Sequence, residues 1–179
     1  MHENSRFDVL LHDAAVMGTV FWAGALAFMS GLDVGAVEEG LRTVSRKELL
    51  RPARSSSVKG EAEYSFRHLL IRDVAYQQIP RAARVRKHRT AAAWIERLAG
   101  ERVTDHADIL AHHYEQALQL AKAAGLDDDT RELETQVQRF LIMAGDRALE
   151  LDAGKVEAFY RQALELSPAG HPTRGGLLE

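Results

Sequence analysis

The chain has 179 residues, enough for one large domain or two small ones, and its 46% hydrophobic and 27% charged residues form an ordinary globular mixture. The formal net charge of −3 indicates that the molecule as a whole is neither a general nucleic-acid binder nor a membrane binder. Because there is no cysteine, disulfides, thiolate catalysis and cysteine-containing zinc sites are excluded, and a cytoplasmic location is expected.

Apolar residues at helical spacing predict three helices in the first part of the chain, at residues 7–17, 21–29 and 33–45. Asp33 is expected to cap the third helix. The uncharged run at residues 14–32 is nearly long enough to span a bilayer. Since Gly18, Thr19 and Ser30 interrupt this run, we expect two buried helices joined at residues 18–19 and no membrane contact.

The next part of the chain has the pattern of a β-ribbon. Residues 49–51 are predicted to be extended, and Pro52 argues against a further helix. A Ser-rich loop follows at residues 53–60, and residues 63–66 alternate as a returning strand does. Three helices followed by a two-stranded ribbon is the element order of a winged helix.

Residues 65–79 (SFRHLLIRDVAYQQI) predict an amphipathic helix that begins after His68. We expect its apolar face to be buried and Arg72 and Asp73 to lie on the other side. His68 is a candidate anion contact, because the first N–H groups of a helix have no intrahelical partner. The apolar positions of this helix are Leu69, Leu70, Val74, Ala75 and Ile79.

A basic helix is predicted at residues 80–99, and three interpretations of its charges stay open. The charges form a nucleic-acid patch, a solvated face, or a surface for an acidic partner such as another domain of the parent protein. The cations that would carry the interaction are Arg81, Arg84, Arg86, Lys87 and Arg89.

The last part of the chain predicts helices from Thr104 or Asp105 to about residue 124, from about residue 131 to 151, and over residues 155–166. The pattern is typical of a degenerate tetratricopeptide repeat, whose small residues let paired helices approach. Matching positions are Phe140, Met143, Ala144, Tyr160, Ala163 and Pro168, with departures at Arg147 and Val156.

Motifs of catalysis are missing from the sequence: there is no GxxxxGK[ST], GxSxG, HExxH or GxGxxG. No catalytic residue, resident cofactor or metal is therefore expected, and the chain is predicted not to be an enzyme. The best metal candidates are two pairs on shared helix faces, Asp108 with His112 and His106 with His113. We prefer to interpret them as a solvated or packed helix face.

Several stretches together resemble the winged-helix and repeat region of the STAND class of signal-transduction NTPases. The similarity is greatest to bacterial members found beside adenylyl cyclase domains and in large transcriptional regulators. The stretches are LLHDAAVMGTVFW (10–22), FRHLLIRDVAY (66–76), AHHY (111–114), AGDRAL (144–149) and YRQALEL (160–166).

Residues 66–73 also resemble the MHD motif of plant and animal NTPase switches, in which a histidine touches the phosphate of bound ADP. His68 matches that histidine, while Arg67 and Leu69 stand where the motif has Met and Asp. The resemblance implies that His68, together with Arg67, senses the nucleotide phosphate in the intact parent. ATP or ADP would then be the parent's cofactor.

We therefore expect a mainly α chain made of a winged-helix-like domain (1–80) with a small β-ribbon, a basic connecting helix (81–103) and tetratricopeptide-like repeats (104–179), incomplete at the C-terminus. The expected function is that of a non-catalytic regulatory and protein-interaction module of a STAND-type ATPase. Its winged helix would pack on an upstream nucleotide-binding domain, and its repeats would bind a protein partner. The alternative is a DNA-binding winged-helix regulator with a helical oligomerisation tail.

Overall fold

The computed structural model describes residues 2–151 and 153–166, which are mainly helical with one small antiparallel sheet. The chain divides into two compact units, one ending at Trp94 and the other beginning at Ile95. The elements of the first unit are α1 (His2–Met17), β1 (Val20–Trp22), α2 (Ala23–Ser30), α3 (Val34–Arg46), β2 (Leu50–Pro52), β3 (Glu63–Phe66), α4 (Leu69–Gln78) and most of α5 (Arg81–Ala99).

The sheet has the strand order β1-β3-β2, with β3 antiparallel to both neighbours. The prediction of two helices joined at residues 18–19 is wrong, because β1 lies between α1 and α2. Aromatic packing holds this short strand: the Phe21 ring is buried, 6.2 Å from the Tyr64 ring and 5.4 Å from the Phe66 ring. In the described part of the chain, no helix is both long and apolar enough to cross a bilayer.

Helix α3 begins as predicted. Asp33 is its N-cap, and the Asp33 carboxylate accepts hydrogen bonds from the backbone N–H groups of Gly35 and Ala36, at 2.9 and 3.3 Å. Val37 and Leu41 are fully buried on its inner face. The returning strand at residues 63–66 is also confirmed.

Helix α4 presents a different face to the core than the one predicted. Leu69, Leu70 and Val74 are 60%, 72% and 47% exposed, whereas Ala75 and Ile79 are buried. The prediction for Arg72 is also wrong, because its Nε donates to the backbone oxygen of Ala15 in α1 at 3.3 Å. Because α4 packs on α1 through the side that carries Arg72 and Ala75, the side that carries Leu69 and Leu70 faces solvent.

The first unit continues well past residue 80, because α5 supplies part of its core. Val85, Ala91, Ala92 and Trp94 are buried, and the Trp94 ring stacks on that of Trp22 at 5.7 Å. Most of the basic helix is therefore a structural element of the first unit rather than a separate connector.

The second unit holds a 3₁₀ segment (Gly100–His106), α6 (Ala107–Ala124), α7 (Asp127–Leu151) and α8 (Ala153–Glu165). The prediction that Thr104 or Asp105 caps α6 is wrong, since the residue before that helix is His106. The Asp105 carboxylate is engaged elsewhere, accepting from Arg102 at 2.9 Å and from Arg147 of α7. The predicted end of α6 at Gly125 is confirmed, with a left-handed φ of +67°.

Helices α6, α7 and α8 pack consecutively in the second unit. Tyr114 of α6 stacks on Phe140 of α7 with ring centroids 5.5 Å apart, and the two-residue connection makes these helices antiparallel. On the other side of α7, a Cβ at Gly145 would lie 2.5 Å from the ring of Tyr160 in α8, so this glycine permits the close approach. The predicted closing proline, Pro168, lies outside the described residues.

The boundaries of the last two helices differ slightly from those predicted. Helix α7 begins at Asp127 rather than near residue 131, and α8 begins at Ala153, so that Gly154 lies inside a helix.

Candidate functional site

His68 and Arg67 occupy the turn between β3 and α4. His68 has extended backbone angles (φ −137°, ψ 134°) as the N-cap of α4, yet its side chain makes no capping hydrogen bond. The Arg67 guanidinium lies 3.5 Å from the Glu48 carboxylate, and the Arg67 backbone N–H donates to Leu49 at 3.0 Å. Both side chains are exposed. The backbone of this turn is thus anchored at Arg67, while the imidazole of His68 remains available to contact a ligand. It lies at the start of a helix, where the free N–H groups favour an anion.

An apolar surface lies immediately beside this turn. We call it the α4 surface and define it as Leu69, Leu70 and Val74, three large apolar side chains of which roughly half or more of each is exposed. Leu70 and Val74 are one helical turn apart and therefore share a face. An exposed apolar cluster of this kind next to polar groups is a feature of protein interaction sites.

Two of the five basic residues predicted on α5, Lys87 and Arg84, have structural partners within the first unit. Lys87 pairs with Asp13 of α1, whose side chain is fully buried while that of Lys87 is 23% exposed. Arg84 donates from Nε to the backbone oxygen of Ile79 and from Nη2 to that of Gln77, each at 2.8 Å.

The Arg84 guanidinium also lies 4.6 Å from the centroid of the Tyr76 ring. Arg84 therefore closes the C-terminal end of α4 and packs on its last turn. Arg81 and Arg86 are exposed, and Arg89 is partly buried with interactions inside the chain.

Sequence reasoning missed Asp13, the most buried charged residue of the described part of the chain. Burial raises the pKa of this carboxyl group, and the hydrogen bond from Lys87 acts in the opposite direction. One of its oxygens, Oδ2, has no hydrogen-bond partner among the described residues. The signal in the sequence was an acidic residue inside the apolar run that begins at Leu10.

A second unpredicted polar cluster fixes the loop between β2 and β3. The Glu63 carboxylate accepts from the backbone N–H and hydroxyl of Ser57, at 2.7 and 2.6 Å, and from the Trp22 indole at 3.1 Å. The Ser57 bonds hold the pKa of Glu63 below its ordinary value. Glu61 accepts from the Gly24 N–H at 2.8 Å, near the start of α2.

The histidines of α6 differ sharply in their environments. His113 is buried, and loss of hydration lowers its pKa to about 4. His112 is exposed, with its ring 5.7 Å from that of His113. Within residues 2–151 and 153–166, no three His, Asp or Glu side chains come together in a way that could hold a metal ion.

Comparison of the chain with protein-family models, with curated proteins and with solved structures gives no match. The function therefore has to be argued from the residues and contacts described above.

Proposed function

We propose that this chain is a non-catalytic regulatory and protein-interaction module of a STAND-type ATPase signalling protein. In this proposal the first unit is a winged helix. The order of its elements and the strand order β1-β3-β2 support that assignment. The loop at residues 53–62 would be the wing, which Glu63 fixes through Ser57.

The observation that carries the proposal is the position of His68 beside the α4 surface. An upstream nucleotide-binding domain of the parent protein would cover Leu70 and Val74 and place the imidazole toward the phosphates of bound ADP. Covering the three exposed apolar side chains would contribute about 3–5 kcal/mol to the domain contact. The imidazole and the first N–H groups of α4 would together favour the phosphate.

The second unit would bind a protein partner through tetratricopeptide-like helices. The antiparallel packing of α6 on α7 supports this assignment, as does the close approach of Tyr160 to Gly145. Leu149, which is 59% exposed on α7, adds an apolar position at which a partner could dock.

The chemistry of the first unit supports this function over the alternative of reading duplex DNA. Helix α3, which would enter the major groove, carries Glu38 within 3.8 Å of Arg42. Two cations of α5, Arg84 and Lys87, are engaged by groups of the chain itself. Phosphate contacts from Arg84 and Lys87 would require those structural interactions to break.

The test is a charge placed on the α4 surface of the intact parent protein. Leu70→Asp should reduce the ADP that copurifies with the parent, since it removes the domain contact without changing the nucleotide-binding domain itself. Leu98→Asp is the matched control, because it introduces the same charge at an exposed leucine of the second unit that has no part in the proposed contacts. Equal ADP content in the two variants would refute the proposed contact.

A further inference from the structure

A groove of about 480 Å³ lies between α3 and the β2–β3 hairpin of the first unit. It is separate from the turn at His68 and plays no part in the function proposed above. Its size falls in the range of small-molecule sites. The lining residues are Glu39, Arg42, Ser45, Arg46, Pro52 and Tyr64.

One wall of the groove carries two arginines. Arg42 and Arg46 are four residues apart on α3, so their side chains project from the same face. Arg42 is 3.8 Å from the Glu38 carboxylate, and Arg46 donates from Nη2 to the Thr43 hydroxyl at 3.0 Å. Because each guanidinium has five N–H donors, both arginines retain donors for a ligand. Glu39 in the lining and Glu38 beside Arg42 offset the charge of the two arginines, so an anion would be held by hydrogen bonds from the guanidinium groups and not by a net positive charge.

The opposite wall is flat and apolar. Pro52 of β2 is the direct cross-strand partner of Tyr64 in β3, and the Tyr64 ring is buried against Phe21. The Tyr64 phenol is uncharged at neutral pH and does not repel an anion, and both burial and the Glu38 carboxylate raise its pKa further. On the side of α3, the lining also includes Ser45, whose buried hydroxyl has no hydrogen-bond partner among the described residues.

We propose that this groove binds a planar organic anion, with one carboxylate or phosphate group held by Arg42 and Arg46. The ring of the ligand lies against Tyr64 and Pro52. A guanidinium group suits a carboxylate or a phosphate, because both anions accept two parallel N–H bonds. Because this wall is flat and apolar, the groove binds an anion that carries an aromatic ring more tightly than an inorganic anion.

The experiment is a titration of the chain with phenyl phosphate and with benzoate, followed by amide chemical shifts in ¹⁵N-labelled protein. Saturable shifts in α3, β2 and β3 are expected. Arg42→Gln and Arg46→Gln should each weaken binding about tenfold. Arg51→Gln is the matched control: Arg51 precedes Pro52 in the same strand, so its side chain points to the other face of the sheet.

Inorganic phosphate and duplex DNA serve as comparison ligands in the same titration. Inorganic phosphate should bind at least about tenfold more weakly than phenyl phosphate, since it cannot use the ring wall. Equal affinity would reduce the site to an adventitious ion only and overturn the proposal. The proposal is also overturned if neither ring compound binds, if Arg51→Gln weakens binding as much as Arg46→Gln, or if only duplex DNA binds through Arg42 and Arg46.

Discussion

Lys87 neutralises the buried carboxylate of Asp13, and the change Lys87→Met should therefore lower the free energy of unfolding. Asp13 is fully buried, and its second oxygen lacks a hydrogen-bond partner among the described residues, so the ammonium group of Lys87 is the main compensation for its charge. Removing one partner of a buried pair costs about 3–5 kcal/mol. Since the Lys87 side chain is 23% exposed, we expect the lower end, about 3 kcal/mol at pH 7.

The pH dependence of this loss has a definite sign. Burial already raises the pKa of Asp13 in the folded chain, and without the hydrogen bond and charge of Lys87 this pKa rises further above that in the unfolded chain. A carboxyl group with a raised folded pKa lowers the free energy of unfolding as the pH rises from its unfolded pKa to its folded pKa, because only the unfolded chain has released the proton in that range. The variant should therefore lose less stability at pH 5 than at pH 7.

Tryptophan fluorescence in urea is the suitable assay, because both tryptophans of the chain, Trp22 and Trp94, belong to the first unit. Arg86→Met is the control: it removes a cation from the adjacent, exposed position and should cost no more than about 0.5 kcal/mol. Adding Asp13→Asn to Lys87→Met should recover more than half of the loss. The reasoning is refuted if Lys87→Met costs no more than Arg86→Met, or costs the same at both pH values.

Three further predictions concern other contacts. Because burial holds the pKa of His113 at about 4, the unfolded chain binds more protons below pH 6.5, and unfolding free energy should fall by about 3 kcal/mol between pH 7 and 4. Circular dichroism in urea should show that His113→Gln removes this slope and His112→Gln keeps it. Gly145→Ala should cost about 1–2 kcal/mol by the same measurement, because the new methyl group meets the Tyr160 ring. Adding Tyr160→Ala should turn the alanine into a gain, and no such rescue would disprove the contact. Glu63→Gln should speed tryptic cleavage of the loop between β2 and β3 several-fold, because it weakens the hydrogen bonds that hold Ser57. The control change Glu39→Gln on α3 should leave the cleavage rate unaltered.

The sequence predicted the ends of helices correctly where the interactions that determine them join residues close together in the chain. The cap at Asp33 depends on N–H groups two and three residues later, and the end of α6 depends on the left-handed conformation of Gly125. Each of these signals is complete within one turn of helix. The sequence alone was sufficient to place both.

Features that depend on distant partners were not predictable in the same way. The strand β1 has only three residues and depends on its pairing with β3. The paired residues are far apart in the chain: Trp22 and Glu63, for example, are separated by 41 positions. The role of Lys87 is set by Asp13, which is 74 residues away. For α4, apolar spacing was compatible with two different buried stripes, and the packing of Arg72 on α1 selects between them.

The central claim is that His68 senses nucleotide phosphate, and the most direct measurement is the rate of ADP dissociation from the intact parent protein. His68→Ala should release ADP faster, while the same change in this chain alone should leave its unfolding free energy unchanged, because the exposed side chain makes no capping bond. His112→Ala, at an exposed histidine of the second unit, should leave the rate of release unaltered. An ADP dissociation rate for His68→Ala equal to that of the unmodified parent would contradict the account.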